Sequence, residues 1–433
     1  MTNGVGAEEA ALVDIARSVL PAGTFGNMPT DTVIRRGAGG RIWDVSGNEY
    51  VDLLIGSGPM LIGHAHPDVN KAVREQLEQG STFFANNEHG IRLARKIVDA
   101  LPCAELVRFT TSGTEADAYA MRLARAYRKR NRILKFEGGY HGMSDWALMS
   151  TWPDKPSNSG RPASDTAGVP EHLKDDMLVA PYNDLDAACT LIHQYRDELA
   201  GVIVEPMQRL LPPAPGFLKG LRQITKEYGI VLIFDEVVTG FRLAYGGGQT
   251  YYDVIPDVCT LGKVVGGGFA LAAIAGRADI MAHFDKTRVG SDGFMPQLGT
   301  LSGSPVAAVA GLATLEVLER PGTYERLFAT GRAIWKGIEN ALKNAGLPVA
   351  MTGESPMFDA LFTSKQEIRN HRDMTDVDVP LTRQLNALVR KSGVFKSDNK
   401  IYVSLAHTEQ DVLDVISAYE RAAGQLRWDG PCN

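Results

Sequence analysis

The sequence predicts an α/β fold: a mostly parallel central sheet flanked by helices, with a smaller α+β part built from the N- and C-terminal segments. Two observations predict it. From Asn70 to Val306, short apolar strand-like runs alternate with longer runs of helical periodicity, the pattern of strands joined by crossover helices. Two of the apolar runs, 199–205 and 230–236, end in acids, and the polar motifs fall where such strands end. Parallel sheets present their ligand sites at the carboxyl ends of their strands.

The elements follow in order. Residues 8–20 have helical periodicity that stops near Pro21-Ala22-Gly23. Residues 41–45 and 49–53 flank Ser46-Gly47-Asn48 and read as a hairpin. A strand at 107–111 leads into a helix over 115–128, and 132–136 is strand-like. Residues 151–165 are rich in Pro, Ser and Asp and read as an exposed loop that serves as a lid. A helix over 218–228 connects the strand at 199–205 to the one ending at Asp235. After Ser304-Pro305 come two helical segments, the first an Ala-rich helix over 306–318. A strand pair around 351–362 and a final helix over 409–426 follow. The expected organisation is an N-terminal segment (1–60), a large cofactor-binding domain (61–305) and a C-terminal α+β domain (306–433).

Bulk properties narrow the function classes. With 433 residues, 44% hydrophobic, the chain is long enough for a large core. A net charge of -6 gives no reason to expect nucleic acid or an anionic membrane as partner. No apolar run approaches the ~20 residues of a membrane span. The acidic start, residues 1–10, lacks the basic region of a signal peptide. Cys103, Cys189, Cys259 and Cys432 form neither a CxxC metal pair nor a dense disulfide framework. No metal site is expected, and a reduced, cytoplasmic enzyme fits these features.

The chemistry centres on Lys263. It lies in Leu261-Gly262-Lys263, just before Gly266-Gly267-Gly268 and downstream of the strand-end Asp235. A lysine in a crowded glycine-rich turn, paired with a partly buried aspartate, suits pyridoxal phosphate. The lysine forms a Schiff base with the aldehyde, and the aspartate keeps the pyridine nitrogen protonated. A nucleotide-hydrolase reading of Asp235 lacks its usual companion, because no GxxxxGK[ST] loop is present. Ser112-Gly113-Thr114 offers hydroxyls and a helix N-terminus to a phosphate, although the same triplet also makes an ordinary helix cap. Tyr140, between glycines, has room to lie on a flat ring, with His141 as part of the same wall. Val237 shares a strand face with Asp235 and is placed to pack on the opposite ring face. Thr300, in Gly299-Thr300-Leu301-Ser302-Gly303, belongs to another hydroxyl-rich loop. Arg209, Lys396, Lys400 and Arg242 are candidate cations for a substrate carboxylate. Arginine suits bidentate binding better, which favours Arg209.

Together these stretches resemble the class III, fold type I aminotransferases, most closely the glutamate-1-semialdehyde 2,1-aminomutase-like group. The resemblance is carried by Gly58 to Pro67, Thr111 to Ala116, Phe136 to Gly142, Tyr182-Asn183-Asp184, Val204-Glu205-Pro206, Asp235 to Arg242, Leu261 to Gly268 and Gly299 to Gly303, in family order. It implies the following roles. Lys263 is the covalent anchor and proton carrier, and Asp235 holds the pyridine nitrogen. Tyr140 stacks on the ring, and Ser112, Gly113 and Thr114 bind phosphate. Glu205 organises the site. Thr300 reaches the phosphate of a neighbouring subunit, so a homodimer with active sites at its interface is implied. The sequence also departs from the aminomutase pattern. Ser57 stands at a tryptophan position, Phe395-Lys396 replaces a C-terminal motif, and Met207-Gln208-Arg209 replaces a small-residue run. Those departures point to a ping-pong aminotransferase that passes through pyridoxamine phosphate. It would take its amino group from an amino acid or amine and give it to a keto acid or aldehyde. The alternatives are an intramolecular aminomutase, then a racemase, and last a non-catalytic cofactor-binding protein.

Overall fold

The computed structural model describes residues 4–28, 30–153, 160–365 and 367–428. Cys432 and residues 154–159 of the expected lid loop lie outside the described residues. The chain divides into two compact units. One comprises 1–67, 322–367 and 376–433, and the other 68–321 with 368–375.

The second unit is built on a seven-stranded sheet in the order Leu106–Thr110, Ala272–Gly276, Val258–Leu261, Val231–Glu236, Leu199–Val204, Arg132–Phe136, Met177–Ala180. All neighbours pair in parallel except Ala272–Gly276, which is antiparallel to both of its neighbours. The strands Leu199–Val204, Val231–Glu236 and Ala272–Gly276 are buried at every position, as a sheet covered on both faces requires. Helix Gly113–Arg128 packs on this sheet through Ala116, Ala120, Leu123 and Ala124. Small side chains at helical spacing let it sit close, and its N-terminal residues end up beside the strand ends.

The direction of chain progression reverses in this sheet. From Arg132–Phe136 the chain moves outward to Met177–Ala180. It then returns to Leu199–Val204 on the other side and continues to Val231–Glu236 and Val258–Leu261. The connections after Phe136 and after Val204 therefore diverge and leave a crevice at the strand ends. Glu137 to His141 and Glu205 to Arg209 line this switch point.

In the first unit, Ile34–Ala38, Arg41–Asp44 and Glu49–Asp52 form an antiparallel meander, extended by Val394–Phe395 in parallel. A three-stranded sheet of Val349–Glu354, Met357–Phe362 and Ile401–Tyr402 accompanies helices Thr323–Asn344, Val379–Lys391 and Glu409–Ala423. Helix Pro305–Leu318, apolar except for Thr314 and the exposed Glu316, belongs to the second unit, where eleven of its residues are buried. Among the described residues no helix is long and apolar enough to cross a membrane.

Candidate active site

Asp235 stands near the end of the buried strand Val231–Glu236 and is 4% exposed. Its Oδ2 lies 2.8 Å from His141 Nδ1, and its Oδ1 accepts the Val237 N–H at 3.1 Å. The other ring nitrogen of His141, Nε2, is buried without a hydrogen-bond partner among the described residues. A buried orphan of this kind marks a place where another polar group belongs. His141 follows Tyr140, whose N–H donates to Glu205 Oε2 at 3.1 Å across the switch point. Gln208 Nε2 donates to the Glu137 carbonyl at 2.6 Å and Arg209 Nε to the Gly138 carbonyl at 3.2 Å, so three bonds stitch the two diverging connections together.

Lys263 opens a short 3-10 turn, Lys263–Gly266, directly after Val258–Leu261. Its φ is +50°, the left-handed region that a lysine rarely occupies. Strain of this type is kept where the surroundings require one side-chain direction. A Cβ on Gly262 would meet Val237 Cγ1 at 3.1 Å, and one on Gly113 would meet the same atom at the same distance. The Val237 isopropyl group therefore fills the space between two glycines. One of these leads into the lysine and the other starts helix Gly113–Arg128.

At that helix start Ser112 is the N-cap. Its Oγ accepts the Glu115 N–H while the Glu115 carboxylate takes the N–H groups of Thr111 and Ser112. The capping reading of Ser-Gly-Thr thus holds for Ser112. It leaves the N–H groups of Gly113 and Thr114 without a described partner, at the positive end of the helix dipole. Thr114 Oγ1 accepts the Met143 N–H at 3.2 Å, which fastens the Tyr140–His141 turn to the helix.

The structure brings Ser112, Gly113, Thr114, Tyr140, His141, Glu205, Asp235, Val237 and Lys263 to one end of one sheet. Thr300 is exposed and lines a surface hollow with Phe83, Phe84, Asn87 and Leu298. No described contact joins it to Asp235. Ser57 is an exposed residue of the first unit with φ +66°. Lys396, also in the first unit, is 2% exposed and donates to Asp359 Oδ2 and Asn386 Oδ1, both at 3.0 Å. Its ammonium is already committed to these partners.

Sequence reasoning missed three participants. Asp117, on helix Gly113–Arg128, is buried beside Asp235. Arg372 makes a two-point ion pair with the buried Glu137, at 2.8 and 3.0 Å across 235 residues of sequence, and no local pattern predicts that. Lys135 is fully buried and donates to Ala147 O, Met149 O and Thr151 Oγ1, tying down the start of the loop that carries Trp152.

Residues 24–394 match the family model of class-III aminotransferases. The chain belongs to that family. An omega-transaminase from Sphaerobacter thermophilus shares 37% identity and a TM-score of 0.91, over 97% of this chain and 98% of that one. A transaminase with PLP bound shares 27% and 0.88, over 98% of each. A glutamate-1-semialdehyde-aminomutase from Pseudomonas aeruginosa PAO1 shares 24% and 0.85, over 96% of this chain and 94% of that one, a likeness of fold alone. The aminotransferase reading therefore has both family and fold behind it, and the aminomutase match is no better.

Proposed function

We propose that this pyridoxal-phosphate-dependent class-III aminotransferase takes its amino group from a carboxylate-bearing amino acid and gives it to a keto acid or aldehyde. The observation that carries the cofactor assignment is the buried Asp235–His141 pair beside a half-buried lysine held in a left-handed turn. The residues fit the cofactor. A carboxylate is available for a ring nitrogen, and two N–H groups at a helix start, without a partner among the described residues, are available for a phosphate. Val237, wedged between two glycines, and Tyr140 supply apolar and aromatic surfaces for a flat ring.

When bound, the cofactor supplies an aldehyde for the amine and a ring that draws electrons from the reacting carbon. Lys263 Nζ is the covalent anchor. When free, its amine would take a proton from the carbon bearing the donated nitrogen and later give it back, as base and then acid. Asp235 would accept the hydrogen bond of the ring nitrogen, and His141 fixes the orientation of its carboxyl group. Glu205 holds the Tyr140 backbone, and thereby its ring. Ser112, Gly113 and Thr114 take the phosphate, and a partner subunit's copy of the Thr300 loop completes it in a homodimer. The exposed Phe83, Phe84 and Leu298 around that loop support such an interface. The buried Cys103 thiol donates to Cys259 Sγ at 3.5 Å, and a reducing cytoplasm would keep such a pair as thiols.

Arg209 is the residue assigned to the carboxylate. Its φ is +58°, in a segment where the family resemblance expects small residues. The guanidinium lies 5.0 Å from the Tyr140 ring centre and 5.4 Å from that of Trp152. Its Nε is held by Gly138, and no ion pair engages its terminal nitrogens among the described residues. An arginine oriented by two aromatic rings and one carbonyl, kept in a strained backbone, is prepared for a planar anion.

The test is an absorbance screen of the pyridoxal form against single amines and α-, β- and ω-amino acids. Loss of the bound-cofactor band with stoichiometric release of a carbonyl product is expected for carboxylate-bearing donors. Conversion of glutamate-1-semialdehyde to aminolevulinate without an acceptor would turn the assignment to a mutase. A protein that develops no cofactor band with added pyridoxal phosphate would overturn the reading entirely.

A further inference from the structure

Asp117 has no role in the mechanism above, yet it is buried in the middle of it. It lies one turn into helix Gly113–Arg128 and is 2% exposed. Thr260 Oγ1, on strand Val258–Leu261, is 2.6 Å from Asp117 Oδ1 and 3.5 Å from Asp235 Oδ1. One hydroxyl carries one proton and cannot donate to both acids.

The charges facing Asp117 come from three other elements. They are Asp235 on Val231–Glu236, Glu205 just beyond Leu199–Val204, and Lys263 just beyond Val258–Leu261. His141 faces the far oxygen of Asp235. Three buried carboxyl groups and one half-buried ammonium therefore share this end of the sheet. Two neighbouring carboxylates in low dielectric do not both ionise, and the one with fewer donors keeps the proton. Asp235 has the His141 ring nitrogen and the Val237 N–H, whereas the described partner of Asp117 is the threonine hydroxyl alone. Burial first, and then the charge on Asp235, push the Asp117 carboxyl well above the usual aspartate range, against weaker pulls from Thr260 and Lys263.

We propose that Asp117 is a positioning residue: it stores a proton behind Asp235 and, through Thr260, keeps Asp235 ionised toward the cofactor. In this arrangement the Asp117 O–H donates to Thr260 Oγ1, and the Thr260 hydrogen turns to Asp235. When Asp117 loses its proton at alkaline pH, Thr260 turns back to Asp117 and a second negative charge faces Asp235 and Lys263. Lys263 then holds its proton more tightly and becomes a poorer acid when it has to give that proton back. The inference rests on Asp235 as the partner of the cofactor nitrogen.

The first test needs no cofactor. Infrared difference spectra of the apoprotein at neutral pH, wild type minus Asp117→Asn, are expected to contain the C=O stretch of a buried carboxylic acid, and that band is expected to vanish at alkaline pH. Its absence overturns the proposal. Should Asp117→Asn not fold, Thr260→Val replaces it. There the band is expected to persist but move to higher frequency, because the acid has lost its hydrogen-bond partner, and an unmoved band overturns the assignment to Asp117. The second test uses the loaded enzyme. The alkaline limb of kcat/KM and of the bound-cofactor absorbance titration should move in Asp117→Asn, giving about a tenfold rate difference per unit of displacement. Superimposable limbs in the two proteins overturn the proposal. A wild type that binds no pyridoxal phosphate while still giving the infrared band would instead sink the functional reading and leave the stored proton standing.

Discussion

Two lysine–carboxylate neighbourhoods in this molecule have opposite characters. In the first unit, Lys396 meets Asp359 and Asn386, and the other oxygen of Asp359 takes the Ala360 N–H at 2.9 Å. Burial raises the Asp359 proton affinity and Lys396 opposes it, so that each charge answers the other. In the second unit, the buried Asp117 feels the charges of Asp235, Lys263 and Glu205. The lysine sits in a left-handed turn, one imidazole nitrogen has no partner among the described residues, and one hydroxyl lies between two acids. The residue types are the same, and the difference lies in whether donors and acceptors balance. A closed pair contributes structure, whereas an open and strained set is what a ligand completes.

The comparison is broken most directly at the two lysines. Lys263→Ala removes both the anchor and the proton carrier, and single-turnover transamination should fall by about 10⁴-fold or more, with unfolding almost unchanged. Lys396→Met should do the reverse. It strands a buried carboxylate and should cost about 3–5 kcal/mol in denaturant unfolding, while the rate per folded molecule stays at the wild-type level. Lys396→Met combined with Asp359→Leu should recover most of that stability, because the penalty comes from the uncompensated charge. A loss of carboxylate-donor affinity in a folded Lys396→Met protein would return Lys396 to the substrate side and end the contrast. A smaller effect is expected for Arg209→Gly. Glycine relaxes the +58° φ, so unfolding should be neutral or stabilised by up to about 1 kcal/mol. The KM for a carboxylate donor should rise about 10- to 100-fold, the worth of a charge-assisted bond, with a carboxylate-free amine unaffected. Equal effects on both donors would remove Arg209 from the carboxylate role.

What could be read from the sequence follows the same division. Strand-end acids, a glycine-flanked lysine and a Gly-Gly-Tyr-His-Gly turn are local patterns, and each lies where its strand or turn was expected. The strands Arg132–Phe136, Leu199–Val204 and Val231–Glu236 lie within a residue of their expected limits. Strand Ala272–Gly276 is small-residue and featureless, and it acquires meaning only by pairing with Leu106–Thr110, remote in sequence. Asp117 reads as an ordinary helix residue until the helix lands on Thr260. The Glu137–Arg372 pair joins residues 235 positions apart. Lys396 looked like an available cation because its partners, Asp359 and Asn386, are set by tertiary packing rather than by its neighbours in the chain. Sequence supplies candidate groups, and the balance of partners that separates a site from a brace exists only in the fold.

The finest test of that balance is the pH dependence of stability at Asp117. Its folded-state pKa is raised, so over the interval between the unfolded and folded values the native protein holds a proton that the unfolded chain does not. Stability from that proton is complete below the ordinary aspartate pKa and is lost as pH rises through the folded value. Asparagine does not titrate. Relative to Asp117→Asn, the wild type should therefore lose stability as pH rises from the acid range, by about 1.4 kcal/mol for each unit of raised pKa, and the difference should level off once Asp117 is ionised. Matched urea melts of the two apoproteins across that range would read it. Parallel curves would mean that Asp117 is ionised throughout and that Thr260, rather than a stored proton, keeps the two carboxylates apart.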